Sequence, residues 1–108
     1  MDSLAQQRCL PCEGGTPALT LEEAKKNLAM VRDWEMNDSA TEISKSFKFK
    51  DFTVALAFTN QIGRIAESEG HHPDIDFGWG RVKVSLTTHA IGGLSENDFI
   101  LAAKIDRL

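Results

Sequence analysis

The three histidines of the chain, His71, His72 and His89, fall within 19 positions of one another. Imidazole has an unperturbed pKa of about 6.5, which suits both giving and taking a proton near neutrality. Glu67, Glu69, Asp74, Asp76 and Asp98 lie in or near the same stretch. Gathered into one cleft, these groups make a general acid–base constellation; left apart, they are surface hydrogen-bonders. A zinc site built from the histidines and a carboxylate is a third alternative. Against it, consecutive side chains of an extended segment diverge, and no helical H-x-x-x-H spacing occurs.

Cys9-x-x-Cys12 is the other motif with possible chemistry. A thioredoxin-type pair needs a strand before it and a helix after it, and a zinc ribbon needs a second cysteine pair. Neither is present, so the two cysteines read as thiols incidental to a mobile arm. No G-x-S-x-G nucleophile motif and no phosphate-binding glycine loop occurs.

The elements that would position the histidines follow from periodicity. Residues 1–19 show none and read as a flexible N-terminal arm; the folded domain is expected over residues 20–108. Thr20-Leu21-Glu22-Glu23 is a capping box, and Leu21, Ala24, Leu28 and Val31 predict a helix running to about Met30. Trp34-Glu35-Met36 is a short strand. Alternation from Thr41 to Lys50 predicts a second, with Ile43, Phe47 and Phe49 inward and Lys45 the one break. Lys45, Lys48 and Lys50 read together as a solvated strand edge.

Asp51 can cap a helix over Phe52–Glu69 whose stripe is Ala55, Phe58, Ile62 and Ile65, widened by Phe52 and Leu56. Gly70 fits a left-handed C-terminal residue, and Pro73 forbids further helix. Ile75, Phe77 and Trp79 alternate in a third strand, with Trp79 partly exposed at a hairpin. Val82, Val84 and Leu86 make a fourth strand leading to His89. Ser95-Glu96-Asn97-Asp98 is a second capping box, opening a helix with Leu101, Ala102, Ile105 and Leu108 on one face. The order α-β-β-α-β-β-α predicts an α+β two-layer sandwich: a four-stranded antiparallel sheet with three helices on one face. Its edges and open face invite subunit pairing.

Composition sets the limits. The 108 residues carry 12 Lys and Arg against 16 Asp and Glu, a net charge of −4, with a pI near 5.3. That argues against direct nucleic-acid binding, which needs a basic face. No apolar run suits a membrane helix and no signal peptide is visible, so a cytoplasmic protein is expected. A domain this small is expected to hold a shallow site, or one completed by a neighbouring subunit.

At the histidine segment the sequence resembles the pterin-4a-carbinolamine dehydratases. The residues that carry the resemblance are Glu67, His71-His72-Pro73, Trp79, His89 and Asp98. Beside them stand Trp34, Phe47-x-Phe49-Lys50-Asp51-Phe52, Thr87-Thr88-His89 and Gly93-Leu94-Ser95. The resemblance implies a hydro-lyase that removes water from 4a-hydroxytetrahydropterin to give quinonoid dihydropterin, without cofactor or metal. It links the chain to tetrahydrobiopterin recycling beside an aromatic amino acid hydroxylase. His71 and His89 would then move protons and His72 orient the substrate. Gly70, Thr87, Thr88 and Ala90 would contact the pterin, while Glu67, Pro73, Trp79 and Asp98 support the site. Because Asp98 also belongs to the capping box, its two roles compete. The resemblance further implies a homodimer or homotetramer. It leaves an alternative: a non-catalytic module on the same fold, serving as a transcription-factor dimerization cofactor or an enzyme-assembly factor.

Overall fold

The computed structural model of the protein describes residues 4–10 and 17–108. The second cysteine of the pair, Cys12, and the turn-rich stretch around it lie outside the described residues. The elements are α1 (Leu21–Leu28), β1 (Glu35–Met36), β2 (Ile43–Lys48), α2 (Phe52–Glu69), β3 (Asp74–Gly78), β4 (Arg81–Leu86) and α3 (Glu96–Ile105), with 3-10 turns at Leu4–Gln6 and His89–Ile91. This is the α+β sandwich expected from periodicity. The antiparallel sheet runs β1-β2-β4-β3.

Register decides which residues meet. Ile43 pairs with Leu86 and Phe47 with Val82 across β2 and β4, while Ile75 and Phe77 of β3 oppose Val84 and Val82. All of these lie on one face, and the helices cover it with Ala24, Ala55, Ile62, Ala66, Phe99 and Ile105. The other face carries Ser46, Lys48, Lys83 and Arg81 beside Asp74 and Asp76. A face so charged stays in water without a covering layer.

Local chemistry sets the element ends. Thr20 Oγ1 accepts the Glu23 N–H at 3.2 Å while Glu23 Oε1 accepts that of Thr20 at 2.8 Å, closing the predicted box. The first helix stops at Leu28 rather than Met30. Met30 and Val31 donate to the carbonyls three residues back, so the last turn tightens. Asp51 Oδ1 caps α2 through the Val54 N–H at 2.9 Å.

Several side chains depart from the periodic reading. Phe52 and Leu56 are 45% and 38% exposed. At about 100° per residue they lie roughly 60° and 100° around α2 from Ala55, on the flank away from Phe58 and Ile65. Leu108, beyond the end of α3, is also exposed, whereas Phe99 and Ile100 are buried with Leu101 and Ala102. Lys45 is not a solvated edge lysine. Its place opposite Val84 points it to the core side, where Nζ reaches Asp106 Oδ1 at 2.7 Å and the Arg32 carbonyl at 2.9 Å. Asp106 also accepts the indole N–H of the buried Trp34.

Of the described arm residues, those of 4–10 bond to the helices of the folded domain. Lys104 Nζ of α3 donates to the Ala5 carbonyl at 2.8 Å, and Glu69 Oε1 accepts the Cys9 N–H at 2.8 Å. These polar partners on two helices are invisible to periodicity.

Candidate active site

Helix α2 ends on Gly70, whose φ of 66° and ψ of 25° place it in the left-handed region. The His71 N–H reaches back to the Ala66 carbonyl at 3.2 Å, the long closing bond of a Schellman turn. That turn swings His71 and His72 off the helix axis just before β3. From the other side, β4 runs into Thr87 and Thr88. Thr88 bridges to Gly93, closing a short loop that presents His89 and Ala90. Gly92, at φ 67°, lets the loop return.

These two junctions face one cleft of about 420 Å³. His71, His72, His89 and Gly70 line it, with Thr87, Thr88 and Ala90. The three histidines therefore converge. A larger cleft of about 800 Å³, near Met30, Val31 and Ala103, contains no histidine.

The histidines differ in how they are held. His71 Nε2 lies 2.6 Å from Asp98 Oδ1, and its side chain is 12% exposed against 0% for Asp98. Asp98 Oδ2 accepts the Thr88 hydroxyl at 2.8 Å and the Ser95 N–H at 3.0 Å. Ser95 Oγ lies 2.8 Å from Thr88 Oγ1, so it can donate to Thr88 as Thr88 donates to Asp98. Every neighbour of the carboxylate is thus a donor. An ionised Asp98 can only accept, so it selects the His71 tautomer with the proton on Nε2 and the lone pair on Nδ1. The two expected roles of Asp98 do not compete: Oδ1 takes the histidine and Oδ2 caps α3. Burial is offset by these three bonds and by the helix N-terminus.

His72 Nε2 meets Glu67 Oε2 at 2.9 Å with both side chains well exposed, so water screens that pair. His89 is exposed on its 3-10 turn, and its ring makes no hydrogen bond among the described residues. Thr87 Oγ1 is occupied by the Thr41 carbonyl at 2.6 Å.

None of the four expected supporting residues lines the cleft itself: Asp98 and Glu67 are hydrogen-bonded to His71 and His72, while Trp79 and Pro73 are hydrogen-bonded to neither. Trp79 is 72% exposed at the turn between β3 and β4, the far end of the hairpin from His72. Pro73 stands just before β3 and is not among the residues lining the cleft. Sequence reasoning missed Cys9, Leu10 and Asn97, which form part of the wall. Periodicity carries no signal for an arm laid back over a site, and Asn97 read only as a residue inside a capping box. Burial next to the Glu69 carboxylate pushes the Cys9 thiol up to about 12, so it is protonated at neutrality. Among the described residues, no three His, Cys, Asp or Glu side chains group as a metal-binding set.

Comparison with known proteins gives the family. A family model described as pterin 4 alpha carbinolamine dehydratase matches residues 17–108. A Methylococcus capsulatus protein provisionally named pterin-4-alpha-carbinolamine dehydratase is 52% identical over 106 residues, covering 98% of this chain and 93% of its own. One from Rubrobacter xylanophilus, named in the same provisional way, is 46% identical over the whole of both chains. Among solved structures, a transcriptional coactivator/pterin dehydratase from Brucella melitensis superposes with a TM-score of 0.79 at 37% identity, covering 83% of this chain and 96% of its own. A pterin dehydratase-like protein described as a RuBisCO assembly factor in the alpha-carboxysome gives 0.61 at 26% identity, covering 70% and 88%. By the match over residues 17–108 and the full-length relatives, the chain belongs to the pterin-4a-carbinolamine dehydratase family.

Proposed function

We propose that this protein is a hydro-lyase that dehydrates 4a-hydroxytetrahydropterin to quinonoid dihydropterin and water. The observation that carries the reading is the asymmetry of the cleft: His71 Nε2 is held against the buried Asp98, and the exposed His89 lines the same cleft. His71 takes the N5 proton of the substrate at Nδ1. The imidazolium formed stays against the Asp98 carboxylate, which stabilises it. The N5 electron pair makes the C4a=N5 bond as the C4a–O bond breaks. His89, in its protonated form, delivers the proton that turns the leaving hydroxide into water. Solvent resets both rings. His72 orients the substrate, and Gly70, Thr87, Thr88 and Ala90 contact the pterin rim. No resident cofactor enters this scheme.

This chemistry fits a cytoplasmic enzyme that regenerates pterin for an aromatic amino acid hydroxylase, working as a homodimer or homotetramer. Among the described residues, no helix is long and apolar enough to cross a membrane. The test is to follow quinonoid dihydropterin formation from freshly generated 4a-hydroxytetrahydropterin. A rate above buffer that falls about 10²- to 10⁴-fold in His71→Ala and His89→Ala is expected. No acceleration over buffer overturns the assignment.

A second reading, a binding or assembly module, is favoured by the exposed Phe52 and Leu56 on one flank of α2. The roles named for the Brucella and alpha-carboxysome proteins also favour it. A cellular phenotype untouched by His71→Ala with His89→Ala, yet lost with Phe52→Ser and Leu56→Ser, would select it.

A further inference from the structure

We propose that Cys9 and Leu10, ahead of the folded core, form a wall of the histidine cleft that touches the bound pterin, with Asn97 as its positioning residue. This rests on the reading of the cleft as a pterin site. The segment is held by its main chain. The Leu10 N–H donates to Asn97 Oδ1 at 2.9 Å, and Asn97 Nδ2 donates to the Leu10 carbonyl. One amide side chain thus engages both polar groups of one peptide residue, as a neighbouring strand would. Asn97 is 6% exposed, so its position is fixed by the first turn of α3. One residue back, Glu69 Oε1 accepts the Cys9 N–H at 2.8 Å. The other oxygen of Glu69 lies 3.9 Å from Lys104 Nζ, which itself donates to the Ala5 carbonyl.

Three polar side chains from α2 and α3 are therefore committed to backbone atoms of the arm. Main-chain bonds fix where the segment lies regardless of its side chains. Leu10 is left 72% exposed, the one large aliphatic residue at a cleft whose other lining includes three histidines, two threonines, Glu69 and Asn97. A flat heteroaromatic ring carries its donors and acceptors on the rim and presents apolar faces. The rim has polar partners here; a face needs an apolar one, and Leu10 beside the protonated Cys9 thiol supplies it. Asn97 also follows two residues after Ser95 and directly precedes Asp98, so the first turn of α3 places both the wall and the carboxylate that holds His71. The wall and the proton-transfer ring are thereby set from one rigid turn.

The test uses the full chain with Cys12→Ser, which leaves Cys9 as the one thiol, and 7,8-dihydropterin as an unreactive ligand. Cys9 labelling by an uncharged thiol reagent is expected to slow at least about fivefold on saturation with dihydropterin. It should speed up at least about tenfold in Asn97→Ala. Leu10→Ala should raise KM and the dihydropterin Kd about five- to tenfold with kcat within about twofold. Adding Asn97→Ala to it should cost little more in KM, because both changes remove the same wall. Dihydropterin that binds equally well to Leu10→Ala and leaves Cys9 labelling unslowed overturns the wall while the pterin reading stands. Failure of the unsubstituted protein to bind dihydropterin overturns both.

Discussion

His71 Nε2 and Asp98 Oδ1 lie 2.6 Å apart, and the second oxygen of the same carboxylate holds the N–H of Ser95 at the start of α3. One buried group therefore fixes a tautomer and starts a helix. Asp98→Asn keeps the shape but brings an amide N–H against one of three donors. The expected outcome is a fall in kcat of about 10²- to 10⁴-fold with a smaller change in KM. Unfolding stability should drop by about 1–3 kcal/mol for the unmatched buried group. Steady-state turnover and urea unfolding on the same preparation check both.

His72 and Glu67 make the contrasting pair, 2.9 Å apart in solvent. Glu67→Gln is expected to change stability by no more than about 1 kcal/mol, as for an exposed ion pair. Its effect on turnover should be far below that of Asp98→Asn. An equal loss in both variants would show that exposure does not separate the two histidines.

Lys45 sits on the core face of β2 against Asp106, which also holds the Trp34 indole. Asp106→Ala strands a half-buried ammonium and a buried N–H, and about 2–3 kcal/mol of stability should be lost. Lys45→Met, which fills the space without a charge, should cost less. Urea unfolding followed by Trp34 fluorescence in a Trp79→Phe background measures both.

The Cys9 thiol, raised from 9.0 to about 12, has a thiolate fraction near pH 9 that is some hundreds of times below that of the unfolded chain, on the order of 10²- to 10³-fold. Labelling of Cys9 in the Cys12→Ser protein should therefore be slow at pH 8–9 and rise steeply above it. Its linkage to folding has a definite sign. Below pH 9 the thiol is protonated folded and unfolded, so its contribution is complete. As pH climbs from 9 toward 12 the unfolded thiol ionises first, and stability falls. Unfolding curves across that range should show the decline, and Cys9→Ser should flatten it. The capping carboxylate Glu23 behaves oppositely. Bonds from the backbone and hydroxyl of Thr20 lower its pKa, so its support for α1 is lost on acidification below the usual carboxylate range.

Much of this was legible in the residues themselves. Both capping boxes, the Asp51 cap, the left-handed Gly70 and four alternating strands follow from local chemistry. Local chemistry is also what sets the two junctions where His71 and His89 sit. What was not legible depends on long-range placement. Lys45 looked like an edge residue because its partner, Asp106, is 61 positions away. Asp98 looked torn between two roles because the sequence does not reveal that its two oxygens face different neighbours. Cys9 looked idle because Glu69 and Asn97 lie 60 and 88 positions on. Phe52 and Leu56 were misjudged for another reason: an apolar residue marks a helix flank, and only the width of the sheet beneath decides whether that flank is dry.

Helix α2 is 18 residues long from its Asp51 cap to Glu69, and Gly70 turns the chain directly into His71. The helix therefore acts as a ruler. Each residue advances the chain by about 1.5 Å and rotates it by about 100°. One residue inserted or removed between Asp51 and Gly70 would carry the imidazole to another side of the axis, however well the altered helix folded. Length variation is thus excluded in α2, a constraint on the gene's insertions and deletions imposed by the angular position of one ring.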